Sequence, residues 1–295
     1  MAILGRIPRL DLQKRLFFLA RHFVAGESIA SALDAVARLN AAGFDATLDF
    51  LGENVTQRDE AERTRDLYLE LIDAIKACGA KTDLSLKLTA LGLCIDQDFT
   101  LENARRILEQ AERLPDPFIH IDMEGSALTE PSLVCFERLF AEHRNVGPVI
   151  QAYLHRSLGD IERTIKLQAR VRLCKGAYKE PKSIAYQDMP AIRRAYLRLA
   201  EALLARGTYP GIATHDLRLI KAVKTFCDIR GIGKDRFEFQ MLYGIRPDIQ
   251  RSLVREGYSV RVYVPFGTHW ARYLYRRITE RKENVFFVLR SLLRV

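Results

Sequence analysis

The chain has 295 residues, with 46 Lys and Arg against 37 Asp and Glu, a formal charge of +9 and 48% hydrophobic residues. Such a balance is globular, because a disordered chain has fewer apolar residues and more charge per length. No apolar run approaches the ~20 residues that span a bilayer, and Arg6, Arg9, Asp11, Lys14 and Arg15 break the pattern of a signal peptide. From the N-terminus, Leu12–Val24 and Glu27–Ala42 carry an amphipathic helical period, the second ending at Gly43. Residues 1–44 therefore read as a helical arm.

Beyond the arm, short β-rich runs alternate with longer segments of helical period. Strands are predicted at Ala46–Phe50, Asp83–Leu88, Phe118–Asp122, Pro148–Ala152, Val171–Cys174, Gly211–Thr214, Phe237–Met241 and Ser259–Val264. Helices are predicted at Thr56–Cys78, Leu101–Arg113, Pro131–Arg144, Gly159–Ala169, Ile184–Arg206, Leu217–Arg230, Pro247–Arg255 and Trp270–Arg281. Eight strands with eight following helices count out a closed (βα)8 barrel of the TIM type, over residues 45–284. An open doubly wound sheet has no reason to stop at eight. No Pro/Gly/Ser-rich linker divides the chain, so a single domain is expected, closed by an apolar and basic helix at residues 285–295.

Five cysteines without a CxxC imply neither a disulfide framework nor a zinc knuckle, and a reducing cytoplasm is the simplest compartment. The six histidines form no HExxH or close pair, so no metal is expected. The positive charge is lopsided: Arg246–Val295 holds eleven Arg and Lys against four Asp and Glu. That concentration fits a solvated face, an anionic substrate, a nucleic acid or an acidic membrane surface.

In such a barrel, chemistry sits at the C-terminal strand ends. Taken singly, a strand-end Asp can cap the next helix and a Lys can reach the surface. Taken together, Lys87, Asp122, Gln151, Arg172, Lys175, Thr214 and His215 would converge on one mouth suited to a large, anionic, hydrogen-bonding ligand. On the last helix, Tyr273, Arg276, Arg277 and Glu280 stand at i, i+3, i+4 and i+7 and share a face. The plain reading is a surface ion-pair stripe. The functional reading is an arginine pair that forks a carboxylate, oriented by Glu280, with Lys87 as a third charge and Tyr263 and Tyr273 as flat walls for a small ring.

These residues together resemble the proline dehydrogenase family. The resemblance rests on Leu84–Leu91, Ile121-Asp122, Gln151-Ala152-Tyr153 and Arg172–Tyr178. It continues through Ala213-Thr214-His215, Phe239–Gly244 and Tyr263–Gly267, and closes with Tyr273–Glu280. It implies a distorted (βα)8 barrel with N-terminal helices and with FAD across the strand ends. No G-x-G-x-x-G follows a strand, so a Rossmann flavin site is not expected; Gly231-Ile232-Gly233 reads as a turn before the seventh strand.

Residue by residue, the resemblance implies that Arg276 and Arg277 bind the carboxylate of L-proline beside Lys87, while Glu280 holds the pair. Tyr263, Tyr273 and Leu242 contact the pyrrolidine ring. Arg172 sits near flavin N5 and Asp122 near the reacting centre. Gln151 meets the isoalloxazine, Met123 touches FAD through its backbone, Lys175, Gly176 and Ala177 line the cofactor chain, and Thr214 and His215 line its distal part. The implied reaction moves a hydride from proline C5 to flavin N5, gives Δ1-pyrroline-5-carboxylate, and passes electrons to a quinone. The length has no room for an aldehyde dehydrogenase domain, so a monofunctional form acting ahead of a separate pyrroline-5-carboxylate dehydrogenase is expected. Tyr263 favours proline over hydroxyproline.

A quinone acceptor implies peripheral contact with the inner face of the cytoplasmic membrane by an otherwise cytoplasmic protein. Val285–Val295 is either that contact or a closing helix packed on the barrel. Two readings compete with the resemblance. One is a flavin-free aldolase or isomerase with Lys87 or Lys175 as a Schiff-base amine. The other is a basic nucleic-acid-binding module, which lacks any RNP, helix-turn-helix or finger signature, and no nucleic-acid partner is expected.

Overall fold

A computed structural model describes residues 20–271 together with Tyr273 and Leu274. Eight strands form one closed, all-parallel barrel in sequence order: β1 (Asp45–Phe50), β2 (Thr82–Leu86), β3 (Ile119–Ile121), β4 (Val146–Gln151), β5 (Arg172–Cys174), β6 (Gly211–Ala213), β7 (Glu238–Leu242) and β8 (Ser259–Phe266). Closure is made by β8 pairing β1, with Tyr263 opposite Thr47 and Pro265 opposite Asp49. Each predicted strand is present, and the (βα)8 fold stands.

The helices are α1 (Ile29–Ala41), α2 (Arg58–Cys78), α3 (Gln97–Ala111), α4 (Thr129–Glu142), α5 (Ser157–Lys166), α6 (Met189–Arg206), α7 (Leu217–Arg230) and α8 (Pro247–Arg255). Local chemistry sets their ends. The Ser28 hydroxyl accepts from the Ser31 backbone N–H in a capping box before α1. The Asp96 carboxylate accepts from Phe99 N and starts α3 four residues before the predicted Leu101. Asp188 caps α6, with Pro190 in its first turn. The helix predicted from Ile184 therefore begins at Met189, and Ala185 instead bridges Leu154. The strand predicted to run to Leu88 stops at Leu86, because Leu88–Leu91 turns into a 3-10 helix. Residues 21–23 turn, so the predicted Leu12–Val24 helix does not reach Val24. Residues 1–19, the rest of the last predicted helix and the 285–295 segment lie outside the described residues.

The two faces of the strands differ in kind. Outward residues such as Leu48, Leu84, Ile119, Leu173, Ile212, Phe239 and Val262 are buried against the helix ring in one continuous apolar cluster. Full burial of each such side chain stabilises the fold by roughly 1.5–3 kcal/mol. Inward residues are largely polar: Thr47, Asp49, Asp83, Ser85, His120, Arg172, Glu238, Gln240 and Arg261 are all buried. A barrel of this type is usually filled by layers of branched apolar side chains. Here the filling is a charged, hydrogen-bonded network.

A smaller apolar cluster sits apart, where Ala20, Phe23 and Val24 meet Leu51, Ile245, Trp270, Tyr273 and Leu274. The N-terminal segment is stitched to the chain after β8: Ala25 N donates to Pro265 O, Gly267 N to Gly26 O, and Trp270 Nε1 to Glu27 Oε1 at 2.9 Å. Gly244, at φ 72°, lets it pass close, since a Cβ there would stand 1.6 Å from His22 O.

Candidate active site

Four strands bring a charged cluster to the mouth. Lys87 follows β2 and donates to both oxygens of Asp49 on β1, at 2.6 and 2.8 Å. Its ammonium is 3.7 Å from Asp122, just past β3. Asp122 is a hub: its Oδ1 accepts from Ser85 Oγ at 2.8 Å and from Arg172 Nη1 at 3.0 Å, and its Oδ2 accepts from Tyr263 OH at 2.6 Å. Arg172, on β5, also donates from Nη1 to Ser85 Oγ at 2.9 Å and from Nε to Gln240 Oε1 at 2.5 Å. Its guanidinium carbon lies 5.2 Å from the centroid of the Tyr263 ring. Strand alternation makes this convergence possible, since side chains two apart share a face.

Burial acts against the charged forms of Lys87 and Asp122, and their partners decide the outcome. For Lys87, burial alone would favour the neutral amine; Asp49 and Asp122 reverse that and raise its pKa, keeping it an ammonium. For Asp122, burial pushes upward, but Lys87, Arg172 and the hydrogen bonds from Tyr263 and Ser85 win and hold it below the usual carboxyl range. An amine locked in this way is unsuited to Schiff-base chemistry, which needs a neutral nucleophile. That removes Lys87 from the aldolase reading.

The cluster forms one wall of a cleft of about 360 Å³, within the ~300–1,000 Å³ typical of ligand sites. Every described residue of the expected site lines it. Lys87, Asp122 and Met123 come from the ends of β2 and β3, and Gln151 and Arg172 from β4 and β5. Lys175, Gly176 and Ala177 follow β5, while Thr214 and His215 follow β6. Leu242, Tyr263 and Tyr273 complete it. A second cavity of about 590 Å³ shares Lys87 and Tyr273 with it and is walled by Gly52, Glu53, Asn54 and His269. Arg276, Arg277 and Glu280 lie outside the described residues.

Several lining residues are positioned by bonds that their sequence did not announce. Lys175 Nζ and Arg193 Nε each meet Asp216 Oδ2 at 2.7 Å. Against burial, these two cations pull the Asp216 carboxyl down to about 2. Asp216 also caps α7 by accepting from Arg218 N. His215 Nε2 accepts from Leu242 N at 2.8 Å, which puts its ring proton on Nδ1. Gln151 Nε2 donates to Glu124 O at 2.8 Å. Gly176 has φ 112°, and a Cβ there would stand 2.2 Å from the Tyr153 ring, so this turn accepts only glycine.

Ser85, His120, Glu238, Gln240 and Arg261 stand at predicted strand ends without an expected role, as do Asp49 and Asp83 within the strands; Asp49, Ser85 and Gln240 prove to belong to the site, and Asp83, His120, Glu238 and Arg261 lie beneath it. The signal was present as polar residues two apart inside predicted strands: Thr47 and Asp49, Asp83 and Ser85, Glu238 and Gln240, Arg261 and Tyr263.

The donor set suits a flavin. Its arginine, lysine, glutamine and threonine side chains could meet a polar ring edge and phosphates, and Val149, Met241, Leu242 and Ile245 form apolar wall. The chain is 43% identical to the proline dehydrogenase of Deinococcus radiodurans, over 98% of this chain and 94% of that one. It is 41% identical to proline dehydrogenase 1 of Bacillus subtilis (strain 168), over 93% and 91% of the two chains. The bifunctional protein PutA of Escherichia coli (strain K12) is 30% identical over 95% of this chain but only 24% of its own length. Among solved structures, proline utilization A from Bdellovibrio bacteriovorus, inactivated by N-propargylglycine, superposes with a TM-score of 0.85. It is 26% identical, over 90% of this chain and 33% of that one. The sequence model that describes proline dehydrogenase matches residues 32–290, the whole barrel included. The chain belongs to the proline dehydrogenase family.

Proposed function

We propose that the protein oxidises L-proline to Δ1-pyrroline-5-carboxylate with FAD held across the strand ends, and passes the electrons to a quinone. The observation that carries this reading is the Lys87–Asp122–Arg172–Tyr263 cluster on the wall of a cleft with flavin-compatible donors, in a chain of this family. When bound, the flavin supplies the hydride acceptor for proline C5.

The chain's own residues do the positioning. Gln151 and Met123 would face the ring system, with Lys175, Gly176, Ala177, Thr214 and His215 along the rest of the cofactor. Tyr263, Tyr273 and Leu242 would flank the pyrrolidine ring. Arg276 and Arg277 would fork its carboxylate, with Glu280 holding the pair and Lys87 adding a third positive charge. Arg172 would put positive charge where negative charge develops on reduction. Asp122 fixes both Arg172 and Tyr263, so the charged wall and the ring wall share one anchor. The substrate amine must be neutral to lose hydride, so turnover rises with pH through an ionisation at the substrate site. A 4-hydroxyl would crowd Tyr263, which favours proline over hydroxyproline.

The product is an imine in equilibrium with an aldehyde, so a separate dehydrogenase is the fitting consumer. Quinone reduction brings the protein to the inner face of a cytoplasmic membrane as a peripheral visitor. No described helix is long and apolar enough to cross one. Vesicle flotation with and without residues 285–295 tests their part in this, and equal flotation excludes it.

Anaerobic titration with L-proline tests the whole reading. A yellow preparation whose flavin bands bleach stoichiometrically is expected. A colourless protein, or a flavin that stays oxidised, overturns the proposal. Replacing Arg276 or Arg277 by Met should raise KM for proline well beyond threefold with little loss of FAD, and a KM within threefold removes the carboxylate clamp.

A further inference from the structure

Beneath the site, a polar chain runs down the barrel axis from Arg172. Arg172 Nε donates to Gln240 Oε1 at 2.5 Å, and Gln240 Nε2 donates to Glu238 Oε1 at 2.6 Å. The same Glu238 oxygen accepts from Arg261 Nε at 2.8 Å. Arg261 Nη1 reaches Ala46 O at 2.8 Å and Asp83 Oδ1 at 3.1 Å. Asp83 Oδ2 is 3.2 Å from His120 Nε2. Glu238 is 1% exposed and Gln240 4%. Glu238 is absent from the residues lining the cleft, whereas Arg172 and Gln240 line it.

An amide has a polarity, and this one is set at both ends. Arg172 offers only N–H, so Gln240 must present its oxygen there; Glu238 offers only acceptor oxygens, so Gln240 must present its NH2 on the other side. A flipped amide would set N–H against N–H and oxygen against carboxylate at once. We infer that Glu238 is a positioning residue which, through Gln240, fixes the Arg172 guanidinium at the cleft wall. This rests on the proposed role of Arg172 in the flavin reaction.

Two further features support the inference. Gly211 on β6 faces the amide, and a Cβ there would stand 2.4 Å from Gln240 Nε2 and 2.7 Å from its Cδ. The amide therefore fills space that only a glycine leaves. The amide is also an electrostatic spacer. Asp122 already touches Arg172; a second carboxylate in direct contact would cancel the cation outright. Gln240 accepts the hydrogen bond without adding charge and keeps the Glu238 charge one side chain away.

The test compares Gly211→Ala, Glu238→Gln and Gln240→Met with Arg172→Met in the flavin-loaded enzyme. It reads the flavin reduction potential, kcat and KM for proline. Gly211→Ala removes no polar group but displaces the amide. Glu238→Gln is nearly isosteric and weakens the polarity signal, so at least one variant is expected to fold. Expected for Gly211→Ala and Gln240→Met is a kcat about tenfold lower. The ratio of reduced to oxidised flavin affinity also falls about tenfold, a potential about 30 mV more negative for a two-electron couple. Glu238→Gln should shift both in the same direction by about threefold, and KM for proline should stay within twofold throughout. If Arg172→Met shifts the potential but all three others keep the wild-type value, the positioning role is overturned and the proposed function stands. If Arg172→Met itself leaves the potential unchanged, the role given to Arg172 fails, and this inference fails with it.

Discussion

Replacing Tyr263 by Phe isolates a single hydroxyl. The ring stays over Arg172, and the hydroxyl's hydrogen bonds are lost, chief among them the 2.6 Å bond to Asp122, with Asp49 as its other acceptor. A buried hydrogen bond to a charged acceptor contributes about 1.5–3 kcal/mol. Since the bond favours the ionised form, its loss should raise the folded-state pKa of Asp122. The sign follows from the depressed carboxyl. In the wild type, Asp122 contributes stability above the ordinary carboxyl pKa, and that contribution is lost as pH falls through its lower folded value. The variant should therefore be about 1.5–3 kcal/mol less stable at pH 7. That deficit should shrink by about 1.4 kcal/mol per pH unit as the pH falls through the folded range of Asp122. Urea unfolding of both proteins at pH 7, 5, 4 and 3 measures it. A deficit below about 0.5 kcal/mol at pH 7, or one that does not change with pH, would refute the view of Asp122 as a hub held ionised by its donors.

Lys87→Met should cost about 3–5 kcal/mol by stranding the Asp49 carboxylate, which is 1% exposed; denaturant unfolding should also show Lys87→Met with Asp49→Asn recovering most of the loss. His120 is kept neutral chiefly by burial, then by Arg172 and Arg261, and its pKa lies well below the usual 6.5. The unfolded chain therefore binds the extra proton first, so stability should fall by about 1.4 kcal/mol per unit as pH drops below ~6.5. In His120→Gln, urea midpoints between pH 7 and 5.5 should lose that component. Gly176→Ala forces both a positive φ and a clash with Tyr153, so flavin retained per chain after gel filtration should drop at least tenfold, with the barrel's circular dichroism unchanged.

The barrel was legible because its strands are short, β-rich and separated by helical periods. The clearest agreement is α8, predicted and found at Pro247–Arg255, where Pro247 opens the helix and Gly257, at φ 82°, turns the chain just beyond its end. The start of α6 was missed because Asp188 and Pro190 punctuate a stretch whose hydrophobic period continues upstream to Ile184. In the site, residues such as Asp122 and Arg172 were found from their place at strand ends. Their partners were not. Asp49, Ser85 and Gln240 become partners only through the register that sets β1 beside β2, β2 beside β3, and β6 between β5 and β7. That register is a property of the closed sheet, and no local stretch of sequence carries it.

The stitching of the N-terminal segment to the chain beyond β8 has a consequence for biosynthesis. Ala20–Ala25 leaves the ribosome early, yet its partners Pro265, Trp270 and Leu274 come after some 240 residues have been added. Leu51 and Ile245 join the same apolar patch, and Tyr273 within it also lines the cleft. The strands can pair progressively as they emerge, but this edge of the pocket forms only when both segments are out of the tunnel. A stalled or truncated chain ending before Pro265 would lack it. The cleft is thus complete only in a chain whose synthesis has passed the last strand.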